Sequence, residues 1–143
     1  MIVLDSDVVS ALMRDPRSEA IHDWIEAQVP RSLYITVITV FEVRNGIALL
    51  PAGIRREGLR AAWEEIVSRE FLGRILKIDV EAAVQAADLA AERKTRGLNI
   101  DIADTMIAGI VLAHDATIAT GNVKDFCDLG ARVVNPWEAS SPS

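Results

Sequence analysis

The sequence predicts an α/β domain in three layers, with a mostly parallel central sheet of about four or five strands and helices on both faces. Short apolar runs rich in β-branched residues alternate with longer segments of helical periodicity along the 143 residues. No repeat, low-complexity block or linker interrupts this alternation. Residues 1–138 are therefore predicted to form a single domain, and residues 139–143 a frayed tail.

The first half of the chain contains two predicted strands and four predicted helices. Both strands are short runs in which β-branched or aromatic residues concentrate, and the helices carry apolar residues at i, i+3 and i+4 spacing. The strands are IVL at 2–4 and LYITVI at 33–38, and the helices begin near Ser6 and span 18–29, 39–50 and 58–71.

The second half continues the alternation with three shorter strands and two long helices. The first of these helices should close at Gly97, because glycine readily adopts the left-handed conformation that ends a helix. The second is apolar almost all the way round, which is typical of a buried element. The strands are ILKI at 75–78, TIAT at 117–120 and RVV at 132–134, and the helices span 80–97 and 102–113.

Composition places the chain among globular proteins of a reducing compartment. Half of the residues are hydrophobic, yet no apolar run approaches the roughly 20 residues that span a bilayer. The N-terminus reaches Asp5 without the basic region of a signal peptide. The single cysteine, Cys127, excludes an internal disulfide. We therefore expect a cytoplasmic protein with no membrane association.

The charge balance is acidic, with 21 Asp and Glu residues against 15 Lys and Arg residues and a net charge of −6. Taken alone, this argues against a general nucleic-acid binder, which usually presents a basic patch. An acidic protein can still act on a polyanion when a divalent metal neutralises a local group of carboxylates. The same charge would also suit a basic protein partner.

Acidic and amide side chains fall where the predicted strands end. Asp5 directly follows the first strand, Glu42 lies four residues after the second, and Asp104 opens the buried helix. Asn122 and Asp125 follow the strand TIAT. Because ligands of open parallel sheets bind at the carboxyl ends of the strands, these side chains should meet there. Carboxylate oxygens with room for water are what Mg²⁺ or Mn²⁺ requires.

Helix capping is the competing interpretation of the same acids. Asp5 could cap the helix that follows it, TVFE at 39–42 reads as a capping box, and DIAD at 101–104 is a weaker relative with Asp101 as the cap. Ser, Thr or Asn would cap equally well without mutual repulsion between carboxylates. The set as a whole therefore favours a shared ion over three unrelated caps.

Four segments in the expected order make the chain resemble the PIN-domain ribonucleases, specifically the VapC/FitB-type toxins of bacterial toxin–antitoxin pairs. MIVLDSDVVSALMR resembles the opening strand, first acid and first helix of that family, and TVITVFEVRNGI resembles the segment with its conserved Glu. IADTMIAGIVLAHDATIATGNVKDF resembles its third acidic motif and the following strand, and VVNPW is a typical ending. The resemblance covers nearly the whole chain and implies a PIN-like fold.

The resemblance also implies roles for individual residues. Asp5, Glu42 and Asp104 match the three acids that hold the metal in such nucleases. Asn122 stands at the fourth position of the family, and Asp125 is the next acid, so either could complete the site.

Three further residues would line this site. Ser6 and Thr120 match polar positions of the family. Asp7 stands where some relatives have Asn, which adds a negative charge beside the metal site.

The function implied is a Mg²⁺-dependent endoribonuclease, with Mn²⁺ as a substitute ion, that acts as the toxin of a type II toxin–antitoxin pair. One metal ion or two would activate water for hydrolysis of RNA phosphodiesters. The implied partners are RNA, a cognate antitoxin that covers the active site, and a second copy of the chain in a homodimer, with higher toxin–antitoxin assemblies built on it.

Two other functions compete with this hypothesis. IVLDSDVV also fits the opening of haloacid-dehalogenase-like phosphatases, with Asp5 as nucleophile and Asp7 as general acid. That class needs a downstream Lys and a closing acidic pair, which have no convincing counterpart here. The other is a non-catalytic PIN-like binding module, in which the acids serve only as caps and antitoxin contacts.

Overall fold

A five-stranded parallel sheet forms the centre of the computed structural model, which describes residues 1–14, 18–99 and 101–139. Every strand pairing is parallel, and the strand order is β3-β2-β1-β4-β5. The predicted α/β class and mostly parallel sheet are therefore confirmed. The strands are β1 (Ile2–Leu4), β2 (Leu33–Thr36), β3 (Ile75–Leu76), β4 (Thr117–Ala119) and β5 (Arg132–Val134).

Helices connect the strands as crossovers and cover the sheet. A short 3₁₀ turn, Pro30–Ser32, leads into β2. None of the helices in the described part of the chain is long and apolar enough to cross a membrane. The α-helices are α1 (Ser6–Met13), α2 (Glu19–Glu26), α3 (Val37–Ala48), α4 (Ile54–Glu70), α5 (Val80–Thr95), α6 (Ile102–Ala113), α7 (Val123–Asp128) and α8 (Pro136–Ala139).

The sheet separates two hydrophobic clusters, which confirms the three-layer arrangement. Successive strand residues point to opposite faces, so Val3 packs against α6 on one side and Leu4 packs with α1 and α2 on the other. Trp24 and Trp63, both predicted from helical apolar stripes, are buried in the second of these layers. The apolar helix α6 is covered as its composition predicts, with Ile107, Ala108 and Val111 fully buried.

Strand register brings the beginning and the end of the chain together at the carboxyl edge of the sheet. Leu4 of β1 lies beside Ala119 of β4, and the Asp5 N–H donates to the Ala119 carbonyl at 3.0 Å. Asp5 and Thr120 are the next residues along these two strands. They are therefore neighbours although 115 positions separate them.

Several element boundaries differ from the predicted ones. β2 ends at Thr36, so α3 begins at Val37 rather than at residue 39. The Thr36 hydroxyl accepts from the Thr39 N–H at 3.1 Å and is the N-cap. The predicted capping box at 39–42 is therefore wrong, because a different threonine caps the helix.

The remaining boundary errors lie at element ends and in short helices. α2 ends at Glu26, whereas α4 begins at Ile54, four residues before the predicted start. The short helices α7 and α8 lie in segments for which no helix was predicted. Of the predicted tail 139–143, Ala139 ends α8 and residues 140–143 lie outside the described part of the chain.

Gly109 allows helices α5 and α6 to pack closely. A Cβ atom at this position would lie 2.5 Å from the Ala82 carbonyl oxygen and 2.9 Å from the Ala86 Cβ. We expect Gly109→Ala to lower the free energy of unfolding by about 1–3 kcal/mol, as overpacking does in other cores. Urea denaturation followed by circular dichroism measures this.

The matched control is Gly58→Ala on α4, where an added Cβ meets nothing within 4 Å. Alanine should raise the free energy of unfolding there by about 0.5–1 kcal/mol, because glycine loses more backbone entropy in a helix. A gain of stability at both positions would show that α5 and α6 are not in close contact at Gly109.

Candidate active site

Asp5 is the most deeply buried acid at the carboxyl edge of the sheet, with 5% of its surface exposed. Its Oδ1 accepts from the Ser6 N–H at 2.8 Å, which makes it the N-cap of α1. Its Oδ2 accepts from the Thr120 hydroxyl at 2.8 Å. The capping interpretation is thus correct for Asp5, but a cap needs only one of its two oxygens.

The pKa of Asp5 is raised from its ordinary value of 3.8 to about 7, and burial is the largest cause. The negative charge of Asp7 is the next cause of the rise, and that of Asp104 is a smaller one. The hydrogen bonds from Thr120 and Ser6 oppose the rise. Without a cation, this carboxylate is therefore costly to ionise where it lies.

Glu42 lies on α3 beyond the first turn. Because Thr36 and not Thr39 is the N-cap, Glu42 is not the third residue of the helix and does not belong to a capping box. Its Oε1 is buried and has no hydrogen-bond partner among the described residues. Burial raises the pKa of Glu42, the Ser6 side chain lowers it, and the nearby charges of acidic residues add to the rise. Glu42 therefore brings an acceptor to the site that helix capping does not use.

Asp104 lies in the first turn of α6, where Asp101 is the N-cap and accepts from the Asp104 N–H at 2.9 Å. The Asp104 side chain is thus not needed as the cap. Its Oδ2 accepts from the Asn122 side-chain amide at 3.3 Å. The pKa of Asp104 is raised to about 6, chiefly by burial and in addition by the charges of Asp101, Glu42 and other acids.

Asn122 and Asp125 approach the site from the connection after β4. The Asn122 N–H donates to the Thr120 hydroxyl oxygen at 2.9 Å, and its amide reaches Asp104. Asp125 lies in the first turn of α7, and its charge raises the pKa of Asp104. Asn122 is therefore in direct contact with a site acid, whereas Asp125 acts through its charge.

Asp7 accepts two main-chain hydrogen bonds. Its Oδ1 accepts from the Val8 N–H at 2.8 Å and its Oδ2 from the Gly121 N–H at 2.9 Å. These two bonds hold the Asp7 carboxylate between the start of α1 and the residues that follow β4.

The structure brings all eight predicted site residues to one region, where the acids act on one another electrostatically. Within the described ranges, however, no three Asp, Glu, His or Cys side chains are close enough to form a ready-made metal site. The carboxylates thus lie around a common region but are too far apart for three of them to bind one ion directly without movement. The N-termini of α1 and α3 lie at the same edge and add positive potential that favours phosphate.

Two residues of this region were not anticipated from the sequence. Thr36 caps α3 and so leaves Glu42 free, and Gly121 donates its N–H to Asp7. The glycine at position 121 indicates a turn after β4. Its contact with Asp7 could not be predicted, because the two residues are distant in the sequence.

Known proteins share this arrangement. A family model described as "PIN domain" matches residues 2–131. This chain belongs to the PIN-domain family. Its five-stranded parallel sheet is thus that of a PIN domain, as the sequence resemblance implied.

Relatives of this PIN domain match it over almost its full length. VapC ribonuclease Y4jK of Sinorhizobium fredii is 41% identical over 138 residues, which cover 96% of this chain and 99% of the relative. Toxin FitB of Neisseria gonorrhoeae is 34% identical over 137 residues, with coverage of 96% and 99%. A solved structure of FitAB bound to an IR36 DNA fragment aligns with a TM-score of 0.88 and 33% identity over all of both chains.

Proposed function

We propose that this PIN domain is a Mg²⁺-dependent endoribonuclease and the toxin of a type II toxin–antitoxin pair. The observation that carries the proposal is the gathering of Asp5, Glu42 and Asp104, whose pKa values are all raised. Helix capping accounts for only one of these three side chains. A divalent cation gives all three a common partner.

The residues present suit Mg²⁺, with Mn²⁺ as a substitute. All the candidate ligands are hard oxygen donors, and the buried Oε1 of Glu42 is an acceptor without a partner in the described chain. Mg²⁺ usually keeps several waters and takes only one or two carboxylates, so it tolerates an open arrangement. Asp5, Glu42 and Asp104 would hold the ion, in part through its bound waters, with Asn122 or Asp125 completing the site.

A bound Mg²⁺ supplies Lewis-acid stabilisation of phosphoryl oxygen charge and lowers the pKa of a bound water. The protein's own groups orient the carboxylates around it. The Thr120 hydroxyl fixes one oxygen of Asp5, and the Asn122 amide fixes one oxygen of Asp104. The N-termini of α1 and α3 attract the phosphate of the substrate.

The relatives extend the proposal to partners. Because a VapC ribonuclease and toxin FitB match this chain end to end, we propose RNA as substrate and a cognate antitoxin as inhibitor. The net charge of −6 favours a basic inhibitory segment over the acids. We also propose a homodimer, higher assemblies with the antitoxin, and a cytoplasmic location.

The test is cleavage of a mixed RNA pool by the purified chain. We expect cleavage with Mg²⁺, none after chelation with EDTA, and recovery when Mg²⁺ is restored in excess. Single-stranded DNA of matched sequence serves as the control substrate. Absence of RNA cleavage by folded protein at every Mg²⁺ and Mn²⁺ concentration tried would contradict the proposal and favour the binding module.

A further inference from the structure

At the carboxyl edge of the sheet, the start of α1 is joined to the loop after β4 by two hydrogen bonds. One links Thr120 to Asp5, and the second links Gly121 to Asp7. Thr120, Gly121 and Asn122 make up the loop, and each forms a hydrogen bond that bears on the site acids. Asp5 and Asp7 receive the first two of these bonds from consecutive loop residues. Two acids at the start of α1 thus hold the loop after β4.

The two outer loop residues orient the acids that the proposed function uses. The Thr120 hydroxyl donates to Asp5 Oδ2 at 2.8 Å and accepts from the Asn122 N–H at 2.9 Å. The Asn122 amide then donates to Asp104 Oδ2 at 3.3 Å. A displacement of the loop would therefore alter the orientation of Asp5 and Asp104 together.

Gly121, the middle residue, is held closely from two sides. A Cβ atom there would lie 3.1 Å from Asp7 Oδ2 and 3.1 Å from the Trp137 Cζ3, which is tighter than ordinary side-chain contact. A side chain at this position would therefore displace Asp7 or Trp137 by a few tenths of an ångström. The main-chain N–H of Trp137 donates to the Asn135 side-chain oxygen at 3.0 Å, and its side chain packs against the hydrophobic cluster that contains Leu4.

We propose that Asp7 is a positioning residue for the nuclease reaction. Its Oδ2 holds the Gly121 N–H, and we call this contact the clamp. The clamp keeps Thr120 and Asn122 where they orient Asp5 and Asp104. This inference rests on the proposed function. The bond to Gly121 needs a hydrogen-bond acceptor rather than a charge. An Asn side chain with its carbonyl oxygen directed at Gly121 therefore keeps this bond and loses only the one from the Val8 N–H. Asp7 therefore acts through the loop and not as a ligand of the ion.

The kinetic test compares Asp7→Ala with Asp7→Asn in RNA cleavage. Loss of residues that orient metal-binding side chains costs about 10–100-fold in other metal sites, so we expect kcat of Asp7→Ala to fall by that factor with little change in KM. Asp7→Asn should retain kcat within about threefold of the wild type. Asp88→Ala, at an exposed position on α5, is the matched control. Equal loss in both Asp7 variants, or none in Asp7→Ala, would overturn the proposal.

The structural test needs neither metal nor RNA. Amide hydrogen exchange measured by NMR should show the Gly121 N–H exchanging at least about tenfold faster in Asp7→Ala and near the wild-type rate in Asp7→Asn. An unchanged Gly121 rate in Asp7→Ala would overturn the clamp alone, whereas failure of the wild type to cleave RNA would overturn the nuclease. If Asp7→Ala does not fold, Gly121→Ala can replace it, because the added methyl group disturbs the same contact from the Gly121 side. This variant should also lower kcat. A kcat equal to that of the wild type would overturn the clamp.

Discussion

Asp5→Asn is expected to lower kcat/KM for RNA cleavage at least about 1,000-fold while leaving the protein folded. Metal catalysis contributes several kcal/mol, and each 1.4 kcal/mol corresponds to a factor of ten in rate. Asn keeps the size of Asp and an acceptor oxygen for the Ser6 N–H, so the cap of α1 survives. The loss should come from the missing charge. Single-turnover cleavage of one labelled RNA with excess protein measures it.

The matched control is Asp88→Asn, which changes an exposed Asp on α5 and should leave cleavage unaltered. Circular dichroism spectra of the two variants establish that both are folded. If folded Asp5→Asn cleaved RNA within tenfold of the wild-type rate, Asp5 would not be a metal ligand. Its burial would then reflect helix capping alone.

The same substitution should stabilise the metal-free protein at pH 8. The pKa of Asp5 is raised from 3.8 to about 7, which at about 1.4 kcal/mol per pH unit sets an upper limit of about 4 kcal/mol for the cost of ionising it in the folded state. Because Asn also weakens the hydrogen bonds from Thr120 and Ser6, we expect a gain on the order of 2 kcal/mol in the free energy of unfolding.

The pH dependence of this gain has a definite sign. Between pH 3.8 and about 7, Asp5 is protonated in the folded state but has released its proton in the unfolded state. The contribution of Asp5 to the free energy of unfolding of the wild type therefore falls as pH rises. The cost is absent below pH 3.8 and complete above about 7. The stability difference between Asp5→Asn and wild type should therefore grow from pH 5 to pH 8. Urea titrations in EDTA across this range measure it.

Addition of Mg²⁺ should reverse the order of the two proteins at pH 8. A ligand at 100 times its dissociation constant stabilises the folded state by about 2.7 kcal/mol, and only the wild type should bind the ion tightly. A stability difference that is independent of both pH and Mg²⁺ would show that the charge of Asp5 is not the source of the effect.

The order of the strands and long helices, the sheet type and the placement of the candidate site residues at strand ends were predictable because they depend on local patterns. β-branched runs and helical periodicity identify the elements, and the parallel sheet brings their ends to one edge. The start of α3 was not predictable, since Thr36 and Thr39 both fit the N-cap of a helix. The pairing of β2 with β3 ends at Thr36 and Leu76, so the helix begins directly after Thr36. At six residues, α7 is too short to show helical periodicity.

The contacts that organise the site depend on the strand order, which the sequence pattern does not reveal. Asp7 meets Gly121, and Asp5 meets Thr120, only because β1 lies beside β4 at the centre of the sheet. The sequence therefore identified Asp7 as an additional acid near the site but did not indicate which groups it contacts. The bonds to Val8 and Gly121 give it a role, because they leave Asp7 as an acceptor for main-chain groups.

Anomalous diffraction from crystals soaked in Mn²⁺ tests most directly whether Asp5, Glu42 and Asp104 share a divalent cation. We predict one or two anomalous peaks within about 2.2 Å of carboxylate oxygens from these residues, at full occupancy in the wild type and lost in Asp104→Asn. Well-ordered wild-type crystals at saturating Mn²⁺ with no peak among these carboxylates would contradict the account.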